Sequence, residues 1–258
     1  MTDIVTTDWL ADRLGDVHIV DVRDAWEYEG IGHLPGAVSI PFDSFRASEG
    51  DEGMLPGEDI FAELLSEAGL RRDDEIVAYD DTHGVFAARF LVTAELYGHD
   101  PDHLHLLDGD FSAWQRDRPT TGDVPDVTAT DYTVDRARES PLVGREAVAA
   151  AIDGDAVIVD TRERWEYEEG HIPGAVQLDW RELVDDDTRG LKPREEIRPI
   201  LESREITPEK RIVLYCNTAR RISHTYVVLR HLGYEDLAFY EGSLTEWEAA
   251  GEPIETVE

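Results

Sequence analysis

The chain has 258 residues, 41% of them hydrophobic, with 24 Lys and Arg against 58 Asp and Glu, a formal net charge of −34. That hydrophobic share supplies a packed core and excludes wholesale disorder, and a lone cysteine excludes a disulfide-stapled scaffold. Sparse Lys and Arg speak against sequence-general nucleic-acid binding; no apolar run reaches the roughly 18–20 residues of a membrane span, and the start MTDIVTTDWL lacks the regions of a signal peptide.

In chain order, TDWLADRL reads as a helical pattern, and the apolar run at 17–22 fits a buried parallel strand. GHLPGA is a Gly/Pro turn leading to another short strand. Residues 75–79 are again strand-like, and a helical pattern follows them. TTGDVPDVTATDYTVDRARESP, rich in Gly, Pro, Thr and Asp without a sustained period, reads as a linker. REAVAAAI resumes the series as a helix, with strands at 156–160 and 211–215 and the turn GHIPGA between them. After Tyr215, residues Ile222, Tyr226 and Leu229 fall at i, i+4, i+7, a buried helix face. Strands alternating with helices predict an α/β fold with mostly parallel sheets, whose ligands bind beyond the carboxyl ends of the strands.

The chain repeats itself. IVDVRDAWEYEGIGHLPGAVSIPF, from Ile19, recurs from Ile158 as IVDTRERWEYEEGHIPGAVQLDW; EIVAYDD matches RIVLYCN, and LLDGDFSAW matches FYEGSLTEW. The same elements in the same order make a tandem duplication, placed at 1–120 and 140–258 with 121–139 as linker. The acidic residues are spread along the whole chain. Their predicted meaning is adaptation to a very salty cytoplasm, where screening over about 3 Å at 1 M salt makes self-repulsion tolerable; an acidic patch for basic partners is the other reading. The expectation is a halophilic, cytoplasmic protein that needs roughly molar salt to stay folded.

Cys216 ends the apolar strand RIVLYC, and the loop NTARR leads into the helix ISHTYVVLRHLGY. A side chain there faces a helix N-terminus, where backbone N–H groups converge on an anion. Arg220 and Arg221 add positive charge, and this setting favours the nucleophilic thiolate. With no second cysteine, any covalent intermediate is discharged by an external acceptor.

These residues resemble a two-domain rhodanese, a thiosulfate or 3-mercaptopyruvate sulfurtransferase, over nearly the whole chain. The resemblance rests on DVRDAWEYEG and DTRERWEYEEG, GHLPGAV and GHIPGAV, YCNTARRISHT and EGSLTEW. It implies two rhodanese-like domains, each a mostly parallel sheet flanked by helices, with the second catalytic. The first has Asp80 in place of the cysteine and is implied to be a non-catalytic scaffold that closes the cleft. The implied reaction is ping-pong. The Cys216 thiolate takes the outer sulfur of thiosulfate, sulfite leaves, and the persulfide passes its sulfur to cyanide in the standard assay, or to a thiol or a protein acceptor. The loop residues Asn217, Thr218, Ala219, Arg220 and Arg221 are the implied binding residues, and no metal or organic cofactor is implied.

Phosphatases that share the fold use a longer C-x5-R loop; here that position is Ile222, with Arg221 one residue early, so the loop is sized for sulfur. Thiosulfate-preferring relatives carry a basic residue after the cysteine and Gly two places later, and mercaptopyruvate-preferring ones a small residue followed by Ser-Gly. Asn217, Thr218 and Ala219 fit neither, and Glu169 and Pro173 stand where some members place a substrate-binding Arg. The polar Asn217 with two Arg leans towards thiosulfate. A mercaptopyruvate enzyme and a persulfide carrier are the alternatives.

Other candidates read as structure. Asp21/Arg23 and Asp160/Arg162 recur in the half without a cysteine, as do His33 and His171, so they are expected to hold turns. His103 and His105 lack further metal ligands at zinc spacing. His224 is expected to pack, and the Trp residues of the W-E-Y motifs and domain ends to lie in the core. There is no Gly-rich loop of the Walker or Rossmann kind.

Overall fold

A computed structural model of the protein describes residues 2–47, 54–136 and 140–257. Two units divide the chain: residues 1–139 with the short segment 186–191, and residues 140–185 with 192–258. The last residues of the predicted linker, 137–139, lie outside the described residues.

Unit 1 comprises β1 (Asp3–Val5), α1 (Thr7–Ala11), β2 (His18–Asp21), α2 (Ala25–Gly30), β3 (Ala37–Ser39), α3 (Glu58–Glu67), β4 (Ile76–Tyr79), α4 (Val85–Leu96), β5 (Leu104–Leu107) and α5 (Asp110–Asp117). Its sheet has the order β1-β5-β4-β2-β3, with every pairing parallel. Short runs such as IVAY form central strands because helices cover both faces, so a strand buried on both sides has no polar alternation to show. The TDWLADRL helix is shorter than predicted and ends at Ala11; its start is set by the Thr6 hydroxyl, which accepts from the Trp9 N–H at 3.1 Å.

Unit 2 comprises α6 (Arg145–Ile152), β6 (Val157–Asp160), α7 (Arg164–Glu169), β7 (Val176–Gln177), α8 (Arg194–Glu202), β8 (Ile212–Tyr215), α9 (Arg220–His231), β9 (Leu237–Phe239) and α10 (Ser243–Ala249). Its sheet, β7-β6-β8-β9, is also parallel throughout. Beside β9, where unit 1 has β1, residues 141–143 make single bonds: the Val143 N–H donates to Phe239 O at 3.1 Å and the Phe239 N–H to Pro141 O at 2.7 Å. The α/β duplication expected from the sequence is the architecture observed.

The described part of 121–136 runs along unit 1. The Thr121 N–H and His33 N–H donate to each other's carbonyls at 2.9 Å, and the Asp135 N–H donates to Tyr97 O at 3.1 Å. Tyr132 is buried, its hydroxyl 3.0 Å from His99 Nδ1.

One arrangement recurs at the strand ends of both units and anchors the turns beyond them. In unit 1, Asp21 at the end of β2 holds Arg23 (Nη2–Oδ2 2.6 Å) and accepts from the hydroxyl of Tyr79 at the end of β4. In unit 2, Asp160 holds Arg162 (2.6 Å) and accepts from the Tyr215 hydroxyl (2.6 Å). The Arg reaches on to the carbonyl of Gly32 or Gly170, tying the strand end to the Gly/Pro turn. All six side chains are buried, so their charges persist only because they are paired and hydrogen-bonded. Burial, the Asp charge and the hydrogen bond to it push both Tyr hydroxyls far above their ordinary pKa. His33 and His171 stack on Tyr28 and Tyr167 with ring centroids 3.8 Å apart, and keep the turn role predicted for them.

The tryptophans divide. Trp114 and Trp247 are core, as expected. Trp26 and Trp165 of the W-E-Y motifs are not: they are 64% and 57% exposed. Each sits in the first turn of a six-residue helix, and its indole N–H donates to the carboxylate two residues earlier, Asp24 (3.2 Å) or Glu163 (2.8 Å). The helix start turns these rings outward.

Among the described residues, no helix is long and apolar enough to cross a membrane. The charge of −34 predicts a salt dependence of stability. Raising KCl from about 0.1 to 2 M is expected to lift the thermal midpoint by roughly 10 °C as self-repulsion is screened. A midpoint in a thermal scan that ignores salt would assign the acidity another purpose.

Candidate active site

β8 delivers Tyr215 into the core and leaves Cys216 as the first residue past the strand. The chain then runs through Asn217 and Thr218 to Ala219, which caps the twelve-residue α9 with φ 65°. Cys216 is buried. Its N–H donates to the Ser243 hydroxyl at 3.2 Å, and its carbonyl accepts from the Leu244 N–H at 2.9 Å. The start of α10 therefore braces the residue from behind. Thr245 adds a hydroxyl donated to Asn217 O at 2.9 Å. The loop then enters the start of α9, and the dipole of a helix places about half a positive charge at such a start.

A charged network surrounds this loop. Asn217 bridges two elements: its Oδ1 accepts from Arg162 Nη1 at 3.4 Å, and its Nδ2 donates to Glu166 Oε1 at 2.9 Å. Arg221 donates to both oxygens of Glu166, at 3.0 Å for the Nη2–Oε1 contact. Burial lowers the Arg221 pKa, but the Glu166 bond and the charges of Cys216 and Glu166 more than offset it and hold it above the ordinary value. Burial likewise raises Glu166, and the bonds from Arg221 and the Glu163 N–H with the Arg221 and Arg162 charges bring it below the usual carboxylate range. The result is a buried thiol on the loop between β8 and α9, with Asn217 and the Arg221–Glu166 pair beside that loop.

Unit 1 carries the same strand-loop-helix with a different occupant. Asp80 follows β4, and its carboxylate accepts four backbone N–H bonds: Thr82 (2.7 Å) and Gly84 (2.8 Å) on one oxygen, Phe86 (2.7 Å) and Ala87 (3.0 Å) on the other. Burial pushes this carboxyl up, the N–H groups of Ala87, Thr82 and Gly84 pull it down, and the net shift is upward. The loop from Asp80 to the helix cap Gly84 is one residue longer than that from Cys216 to Ala219. The side chain itself fills the space that an anion would take.

A rhodanese-like domain model matches residues 6–117 and again 145–250. The chain belongs to the rhodanese family. A relative from Mycobacterium tuberculosis, named putative thiosulfate sulfurtransferase SseA, is 35% identical over 95% of this chain and 87% of its own length. The sulfur carrier protein TtuD of Thermus thermophilus is 32% identical over 97% of this chain and 95% of its own. Among solved structures, SseA from Escherichia coli, described as a 3-mercaptopyruvate sulfotransferase, superposes with a TM-score of 0.80 at 26% identity, covering 94% of this chain and 99% of that one.

In this rhodanese, the structure brings Cys216, Asn217, Ala219 and Arg221 into one loop and helix start, with Thr218 and Arg220 half-buried beside them. Arg221 is not an open cation, since Glu166 already engages it. Sequence reasoning missed Glu166, Arg162 and Ser243 as neighbours of the loop. Glu166 and Arg162 recur in both halves, as Glu27 and Arg23, and that recurrence reads as structure alone. Ser243 had a usable signal, because EGSLTEW has Ser where DGDFSAW has Asp110. His224 is buried, 5.3 Å from the Trp180 ring in a T-shaped contact, in keeping with packing.

Ala219 holds a left-handed backbone where Gly84 stands in unit 1. For an L-residue that costs about 1–2 kcal/mol. Glycine would relieve it, at a loss of roughly 0.5–1 kcal/mol of chain entropy and about 0.8 kcal/mol of buried methyl. Ala219→Gly is therefore expected to leave urea-unfolding stability within about 0.5 kcal/mol, and Ala219→Val, β-branched at positive φ, to cost roughly 2–3 kcal/mol. A well-tolerated valine would contradict the loop conformation.

Proposed function

We propose that this rhodanese is a thiosulfate sulfurtransferase in which unit 2 is catalytic, Cys216 is the nucleophile, and unit 1 is non-catalytic. The observation that carries the reading is the position of the chain's single thiol, between the end of β8 and the start of α9, the helix that carries Arg221. The Cys216 thiolate attacks the outer sulfur of thiosulfate; the S–S bond breaks, sulfite leaves with its electron pair, and a persulfide anion forms on Cys216. The N–H groups of the Thr218–Ala219 loop and of Arg221 and Ile222 in the first turn of α9 receive the negative charge, as those of Thr82, Gly84, Phe86 and Ala87 receive the Asp80 carboxylate in unit 1. A thiophilic acceptor then takes the terminal sulfur and regenerates the thiolate: cyanide in the assay, a thiol or a protein acceptor in the cytoplasm. Asp80 offers no sulfur, so unit 1 cannot run this cycle.

Two further readings use the same cysteine. A 3-mercaptopyruvate donor, favoured by the likeness to the E. coli structure, predicts a much higher kcat/KM with the keto acid. A carrier role, favoured by the T. thermophilus relative, predicts slow turnover with small donors and rapid transfer from a partner protein. The deciding experiment is thiocyanate formation from thiosulfate and cyanide in molar KCl. Turnover that needs Cys216 supports the proposal; silence from folded protein rejects thiosulfate as an efficient donor.

A further inference from the structure

The Glu166 carboxylate takes four hydrogen bonds. Oε1 accepts from Asn217 Nδ2 (2.9 Å) and Arg221 Nη2 (3.0 Å), and Oε2 from Arg221 Nη1 and the Glu163 N–H (3.0 Å). The pair with Arg221 is bidentate, the geometry in which a guanidinium binds any planar pair of anionic oxygens. With side chains 21% and 10% exposed, it is too sheltered to be a screened surface contact. The Arg221 fork is thus filled by a pair of anionic oxygens, the kind of group that the carboxylate or sulfonate end of a sulfur donor would also present to it.

Unit 1 separates the two roles of this glutamate. Glu27, its counterpart, makes the same capping bond to the N–H of the residue three places earlier (3.1 Å, to Asp24), but the helical position of Arg221 is Phe86 there. Capping accounts for a Glu in both units. Only in unit 2 does that Glu also hold a cation beside the thiol.

We propose that Glu166 is a specificity-determining residue of the Cys216 site: it is an internal competitor for Arg221, and an anionic sulfur donor gains that cation only by displacing it. The proposal rests on Cys216 as the reacting thiol. Its consequence is a selective handicap on reagents with a carboxylate or sulfonate end, and none on uncharged ones.

Because Cys216 is the only thiol, its alkylation reads this site alone. The test compares rates with iodoacetate, which is anionic, and iodoacetamide, which is neutral, in wild type, Glu166→Gln, Glu166→Ala and the double variant Glu166→Gln/Arg221→Met. Both reagents need the same thiolate, so their ratio cancels any change in thiolate population. The iodoacetate-to-iodoacetamide ratio is expected to rise about tenfold in each single Glu166 variant, the scale of one hydrogen-bonded charge pair, and to fall back in the double variant. An unchanged ratio in both single variants overturns the proposal. So does a raised ratio that persists without Arg221, because loss of a nearby negative charge would then be the whole cause. Thiosulfate kinetics run alongside should give a lower KM in Glu166→Gln with kcat little changed. A wild type without thiosulfate turnover would defeat the donor assignment alone and leave the alkylation ratio to decide on Glu166.

Discussion

Cys216→Ser is expected to reduce thiocyanate formation by more than roughly four orders of magnitude, to the uncatalysed background. The expectation is severe because the chain has no second thiol to inherit the sulfur. A serine hydroxyl in the same place keeps the N–H of residue 216 on Ser243 and the carbonyl on Leu244, so the loop should persist. What disappears is the atom that forms an S–S bond. The measurement is the cyanide assay in molar KCl, with circular dichroism to establish that the variant is folded. Residual activity above about one per cent in a folded variant would sink the nucleophile assignment and, with it, the covalent intermediate.

The second large effect is on stability and falls on the unit without a thiol. Asp80→Ala should destabilise the protein by about 3–5 kcal/mol, because it strips four backbone N–H groups of their acceptor in a buried loop. Asp80→Asn keeps one acceptor oxygen and turns an amide donor against two of those N–H groups, so it should cost less, about 2 kcal/mol. Guanidinium unfolding monitored by tryptophan fluorescence reads both. Losses under about 1 kcal/mol in the alanine variant would mean that water or a solute anion replaces the carboxylate. Added sulfate would then raise the midpoint of that variant more than that of wild type.

These two predictions draw on different amounts of the sequence. The duplication, the parallel α/β order and the strand-end position of Cys216 are legible from local signals: repeated motifs, short apolar runs, Gly/Pro turns. Asp80 opposite Cys216 follows from aligning the chain with itself. Local signals are enough there because strand, turn and helix starts are set by residues within a few positions of one another.

The immediate surroundings of the thiol are not local. Glu166 and Arg221 lie 55 positions apart in the chain, and Asn217 joins Arg162 to Glu166 across a similar span. A long charged side chain has many geometrically open partners, and only the fold, which brings Glu166 of α7 within reach of Arg221 of α9, selects one. Repetition also misled where it was most useful. A glutamate present in both halves is explained by helix capping, so nothing in the sequence separates Glu27, which only caps, from Glu166, which also holds Arg221. The exposed Trp26 and Trp165 fail for a related reason, since apolar character says that a ring prefers the core but not that a capping carboxylate will hold its N–H at the surface. By itself the sequence determined the order of the elements, the duplicated architecture and the place of the chain's one thiol sulfur. The tertiary structure alone decided which cation stands by that atom and which carboxylate holds it, because those choices depend on long side chains meeting across elements that only packing brings together.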